Sequence, residues 1–117
     1  MLSFPGSLKI YLALEACDLR KSFNGLHAVV TEKLKQDPLS GALFIFTNKR
    51  RNRIKILYWD GTGLWVLTKR LEKGTFWWPK SADAEATKID LTPEALGMLT
   101  DGIELRNSGR RAWYERD

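Results

Sequence analysis

Between residues 42 and 71 three apolar runs, 42–47 (ALFIFT), 53–59 (RIKILYW) and 64–71 (LWVLTKRL), are separated only by Asn48–Asn52 and by Asp60-Gly61-Thr62-Gly63. Runs of this length, rich in β-branched and aromatic residues and joined by short turn-forming stretches, predict an antiparallel meander of three strands. Side chains alternate along a strand, so Arg53, Lys55, Leu57 and Trp59 are expected on one face and Ile54, Ile56 and Tyr58 on the other, the second being the better core face.

The rest of the chain supplies elements to cover such a sheet. Residues 8–14 (LKIYLAL) predict a strand that opens it. Leu19, Phe23, Leu26, Val30 and Leu34 recur at steps of three and four, which predicts one long helix over residues 18–35 with Asp18 as N-cap. Gly25 inside that helix costs about 1 kcal/mol relative to alanine, so a close contact is expected on its face. The run Gln36-Asp37-Pro38-Leu39-Ser40-Gly41 ends the helix. Phe76-Trp77-Trp78-Pro79 is a loop of heavy apolar content that is expected to fold back on the sheet rather than remain exposed. Residues 87–91 (TKIDL) predict another short strand. Thr92-Pro93-Glu94 reads as N-cap, N1 proline and first-turn acid of a short C-terminal helix through Thr100, ended by Gly102. The expected fold class is α+β, an antiparallel meander packed against one long helix plus the short one. At 117 residues without a repeat or long linker the chain is expected to form one domain, with residues after about 106 loose.

The function classes narrow by chemistry. Cys17 is the sole cysteine and His27 the sole histidine, so a zinc finger, a disulfide scaffold and a histidine-based catalytic site are not expected. Asp83, Glu85, Asp90, Glu94, Asp101 and Glu104 are the carboxylates that a metal-dependent nuclease would have to use, and their spacing follows no ligand pattern. No catalytic residue, metal or cofactor is therefore expected. No stretch reaches the roughly 20 apolar residues of a membrane span, and no cationic leader precedes an apolar one, so a reducing, cytoplasmic setting is expected.

Charge is segregated along the chain. Residues 49–80 hold nine Lys or Arg against Asp60 and Glu72, a balance of +7, whereas residues 81–105 hold six acids against Lys88, a balance of −5. Lys49, Arg50, Arg51, Arg53 and Lys55 crowd a predicted hairpin tip, where clustered cations can neutralise phosphates. Lys69 and Arg70 lie on the neighbouring strand and are expected to extend the patch. Arg20 and Lys21 fall in the first turn of the predicted long helix, an electrostatically poor place for cations, which favours a binding role with the hairpin. Two structural readings stand beside these. A basic edge turn also protects sheets from aggregation, and Arg20 and Lys21 can pair with carboxylates such as Glu15. Trp59, Trp65, Trp77, Trp78 and Trp113 can be core or contact residues, with Trp77 and Trp78 the candidates for an apolar partner contact.

Several segments together resemble one family. Asp18-Leu19-Arg20-Lys21-Ser22-Phe23-Asn24-Gly25-Leu26 resembles its D-M-R-K-S/G-F-D-G-L motif, Asp37-Pro38-Leu39-Ser40-Gly41 its D-P-x-S-G turn, and Leu43 to Lys49 its F-x-F-x-N-R/K strand. Leu57-Tyr58-Trp59-Asp60-Gly61-Thr62-Gly63 and the stretch from Lys69 to Pro79 resemble its L-x-W-D-G-x-G and K-R-L-E-x-G-x-F-x-W-P segments. The colinear set spans about residues 8–80 and resembles the TnpB-type accessory proteins encoded beside the transposase of insertion sequences of the sixty-six family. That resemblance implies a non-enzymatic protein supporting DNA transposition, with the transposase of the same element, DNA, or both as partners and no membrane. The alternative is a protein-interaction module that binds the transposase without contacting DNA. Oligomeric state is left open by the sequence.

Overall fold

Every side chain of the strand Leu43–Thr47 is buried, so this segment is covered on both sheet faces. In the computed structural model, which describes residues 8–102 and the backbone of Tyr114–Glu115, it is β2 of a six-stranded sheet. The elements in chain order are β1 (Ile10–Ala13), α1 (Phe23–Glu32), β2 (Leu43–Thr47), β3 (Arg53–Trp59), β4 (Leu64–Arg70), β5 (Lys88–Leu91), α2 (Pro93–Thr100) and β6 (Tyr114–Glu115). The strand order is β4-β3-β2-β1-β5-β6. The region beyond residue 106 expected to be loose lies outside the described residues apart from the β6 backbone.

The meander forms as expected, with β2 antiparallel to β3 and β3 antiparallel to β4. The sheet as a whole is not antiparallel, however, because β1 pairs with β2 in parallel. The reason is the connection: α1 carries the chain back between the two strands, as parallel neighbours require. β5 then adds antiparallel on the other side of β1.

The long helix is a second correction. It covers Phe23–Glu32, ten residues, not 18–35. At its start Asp18 is not an N-cap; its carboxylate accepts the Arg20 N–H at 2.9 Å, and a separate turn closes with Lys21 N–H donating to the Asp18 carbonyl at 3.1 Å. Short polar side chains stabilise isolated turns as readily as helix ends, so the sequence pattern of the two is the same. Ser22 occupies the cap position without a side-chain cap bond. At the other end the chain leaves the helix through Lys35 in the left-handed region, φ 55°, while the Gln36 N–H reaches the Val30 carbonyl. The apolar stripe nevertheless identified the packing residues. Leu19, Leu26, Val30 and Leu34 are buried, and only Phe23 is exposed.

Both faces of the sheet carry a core, whereas the sequence singled out one. On one face α1 packs Leu26, Val29 and Val30 with Phe44, Phe46 and Leu57. On the other, α2 and the 76–79 loop pack Ala95, Leu99, Phe76 and Trp78 against Leu12, Ile45, Ile54 and Tyr58. Each fully buried Leu or Phe contributes roughly 1.5–3 kcal/mol, so two covered faces make the thin sheet stable. The 76–79 loop does fold back, and the Trp78 indole N–H donates to the Ala13 carbonyl at 2.9 Å. α2 has the expected terminus, with Thr92 Oγ1 accepting the Ala95 N–H at 3.1 Å and Pro93 and Glu94 following. Gly102, φ 82°, turns the chain out of it.

Candidate functional site

The basic tip is the β2–β3 turn. Asn48 organises it: its Oδ1 accepts the N–H groups of Asn52 and Arg53, at 3.1 and 3.2 Å, and its Nδ2 donates to Asn52 Oδ1 at 2.7 Å. The Arg51 N–H closes the turn onto the Asn48 carbonyl at 3.0 Å, with Arg51 itself at φ 57°. A non-glycine residue there is sterically strained. The Arg51 carbonyl accepts the Phe76 N–H at 2.6 Å, and Phe76 is buried, so the tip is held from the neighbouring loop.

Beside this tip runs the chain that leaves β1. Ala16, Cys17, Asp18, Leu19 and Arg20 form one wall of a groove of about 470 Å³, and Asn48, Lys49, Arg50 and Arg53 form the other. The walls are tied together. The Cys17 N–H donates to the Thr47 carbonyl at 2.9 Å, and Lys55 Nζ donates to the Lys21 carbonyl at 2.8 Å. Two segments some thirty positions apart in sequence thus bring Arg20, Lys49, Arg50 and Arg53 to one groove, with Asp18 the sole carboxylate among its described lining residues.

The other basic residues divide. Lys55 braces the turn before α1 through the bond just described. Lys21 lays its stem over the start of α1, so that a Cβ on Gly25 would come within 2.8 Å of the Lys21 Cβ; this is the close contact expected at that glycine. Arg51 is half-buried and does not line the groove. Arg70 lies opposite Arg53 in the ladder, with Glu72 beside it at 3.4 Å. Like charges placed directly across a sheet are unfavourable for folding, and Glu72 offsets part of that repulsion here. Lys69 points to the opposite face and donates to the Thr100 carbonyl at 2.7 Å, where a cation complements the end of α2. Strand alternation, applied to residues 69 and 70, separates them without a structure.

Arg20 has its carboxylate, but it is Asp18 rather than Glu15. Arg20 Nε lies 3.0 and 3.1 Å from the two Asp18 oxygens, and Nη2 lies 2.7 Å from Oδ2. The guanidinium and the Arg20 backbone N–H hold the Asp18 carboxyl well below the usual carboxylate range. Glu15 instead faces Lys33 at 3.8 Å. Burial pushes the Cys17 thiol up, which disfavours a reactive thiolate. Asp18 and Asn48 are the site residues that sequence reasoning missed. Their signal is the spacing of a small polar residue ahead of a turn, which also fits simple structural roles.

The tryptophans separate as well. Trp78 is 3% exposed and is a core residue, which removes it from any apolar partner surface. Trp77 is half-buried against the same core, and Trp65 is exposed with its indole N–H on Asp60 Oδ2 at 2.7 Å. Trp113 lies outside the described residues. His27 is half-buried on α1. Among the described residues no group of three or more His, Cys, Asp or Glu is placed to hold a metal ion, and no helix is long and apolar enough to cross a membrane.

Comparison with known proteins agrees with the resemblance read from the motifs. The uncharacterized protein y4jC of Sinorhizobium fredii (strain NBRC 101917 / NGR234) is 37% identical over 104 residues, covering 89% of this chain and 86% of its own. The uncharacterized protein y4hO of the same organism is 36% identical over 107 residues, covering 92% and 90%. No solved structure matches the chain. The family model described as IS66 Orf2 like protein, TnpB_IS66, matches residues 8–110, well beyond the motif-bearing stretch, and the chain belongs to that family.

Proposed function

We propose that this protein is a non-enzymatic accessory factor in the transposition of an IS66-type element, and that it grips DNA by the phosphate backbone in the groove between residues 16–20 and the β2–β3 turn. The observation that carries the reading is the meeting of Arg20, Lys49, Arg50 and Arg53 from two distant segments around one groove. The strained Arg51 at the turn adds to it, since a left-handed arginine costs folding energy and a pure anti-aggregation device does not need one. Backbone neutralisation gives affinity with little sequence preference, which suits a helper to a separate transposase. The same setting makes a cytoplasmic location the natural one, with the whole chain acting as one domain.

Binding to a labelled element end and to an unrelated duplex, each across a salt series, tests the reading. Wild type should bind both, and the Lys49→Ala/Arg50→Ala/Arg53→Ala variant should flatten the salt dependence by about 0.9 logarithmic unit per phosphate contact removed. Absence of binding to either duplex at low salt refutes it. The groove would then be a docking place for an acidic transposase segment, the alternative reading.

A further inference from the structure

Arg20 combines two properties that bear on binding. Its side chain is 91% exposed, yet its guanidinium is held at one edge by a single carboxylate. An exposed arginine ordinarily samples many rotamers, and immobilising it on binding opposes affinity. Here Nε and Nη2 are held by Asp18, and Asp18 is itself anchored by the Arg20 backbone N–H. A guanidinium has five N–H donors. The bonds to Asp18 use the Nε/Nη2 edge and leave Nη1 and the outer N–H of Nη2 as a parallel pair, the arrangement that matches two oxygens of a phosphate. Arg20 lines the groove with Lys49, Arg50 and Arg53, so the groove it borders is cationic apart from Asp18. Exposed ion pairs contribute little to folding, so stability is a weak reason for such complete pairing.

We propose that Arg20 is a two-pronged clamp for a DNA phosphodiester and that Asp18, although negatively charged, is a positioning residue that strengthens DNA binding by fixing that clamp. The inference rests on the DNA-binding reading of the groove and adds to it the division of labour within it. Lys49, Arg50 and Arg53 supply field, whereas Arg20 supplies geometry.

The distinguishing test is the sign of one substitution. Asp18→Asn removes a negative charge from a phosphate-binding groove, and by charge alone duplex binding should tighten. It keeps an amide oxygen for the Arg20 backbone N–H, so the turn survives, but loses the ionic brace. Positioning predicts weakening by about threefold or more at matched salt. Arg20→Lys, which keeps the charge and loses the fork, should weaken binding by about tenfold. In the Arg20→Lys background Asp18→Asn should cause no further weakening. Asp18→Glu leaves net charge unchanged and lengthens the brace, and it too should weaken binding; thermal unfolding of each variant checks that it is folded, and either Asp18 variant alone suffices for the test. Binding by Asp18→Asn or Asp18→Glu equal to or tighter than wild type, or an undiminished effect of the Asp18 change in the Arg20→Lys background, overturns the proposal while the DNA reading stands. If wild type binds no duplex, the DNA reading itself falls and takes this one with it.

Discussion

The two turns that flank β3 are each closed by a local side chain, Asn48 in one and Asp60 in the other, and differ in what else holds them. At the β3–β4 turn the Asp60 carboxylate accepts the Thr62 N–H at 2.8 Å, the Thr62 hydroxyl at 2.9 Å, the Gly63 N–H at 3.0 Å and the Trp65 indole at 2.7 Å. Gly61 takes the left-handed conformation, φ 105°, that glycine adopts freely. Every requirement is met within six residues. The β2–β3 turn instead places an arginine in a left-handed conformation, carries Lys49 and Arg50 exposed, and is pinned by Phe76 from a loop some twenty-five positions away. The β3–β4 turn is closed within its own six residues, whereas the β2–β3 turn, which Asn48 also closes locally, is in addition tied to a distant loop. Backbone strain held in place by its surroundings is found disproportionately at functional sites.

Removing the outside support gives the largest expected effect. Phe76→Ala should destabilise the protein by about 3–5 kcal/mol in denaturant unfolding. Amide exchange should also accelerate at Asn52 and Arg53 more than at Thr62 and Gly63. Equal acceleration at both turns would break the contrast.

Exchanging the backbone demands of the two turns gives intermediate effects of opposite sign. Gly61→Ala should cost about 1–2 kcal/mol, since alanine resists that φ. Arg51→Gly should stabilise by only about 0.5 kcal/mol, because relief of strain is offset by the added freedom of glycine in the unfolded chain. Denaturant midpoints at constant slope measure both. Destabilisation by Arg51→Gly would show that the arginine side chain supports the fold and would remove the argument from strain.

The smallest effect is a pH dependence. Four donors hold the Asp60 carboxyl well below its ordinary value of 3.8. A depressed folded-state value means that the carboxylate stabilises the fold above the unfolded value and that this is lost as pH falls through the folded one. The melting-temperature advantage of wild type over Asp60→Asn should therefore be constant near about pH 6 and shrink toward about pH 2. An advantage independent of pH would mean that the turn needs only the amide-like acceptor and not the charge.

The features readable in advance share a short range. The meander, the terminus of α2 at Thr92-Pro93-Glu94, the inward fold of Phe76 and Trp78 and the crowding of cations at residues 49–55 follow from alternation, cap chemistry and composition within a few positions. Lys69 lies on the face opposite Arg70, which alternation along β4 alone dictates. The start of α1 is not legible locally because Asp18 fits two local rules, and in the structure its bonds to the Arg20 and Lys21 N–H groups belong to a separate turn.

What needed the tertiary structure is everything that joins distant segments. The parallel pairing of β1 with β2 depends on where α1 returns the chain, and both cores depend on which elements cover each face. The groove depends on the Cys17 bond to Thr47 and the Lys55 bond to Lys21, neither of which leaves a pattern in sequence. Local residue order dictates strands, caps and turns because their hydrogen bonds close within a few residues. Which charges meet is set by long-range packing, and a cation at position 20 and another at position 50 carry no mutual signature until the chain has folded.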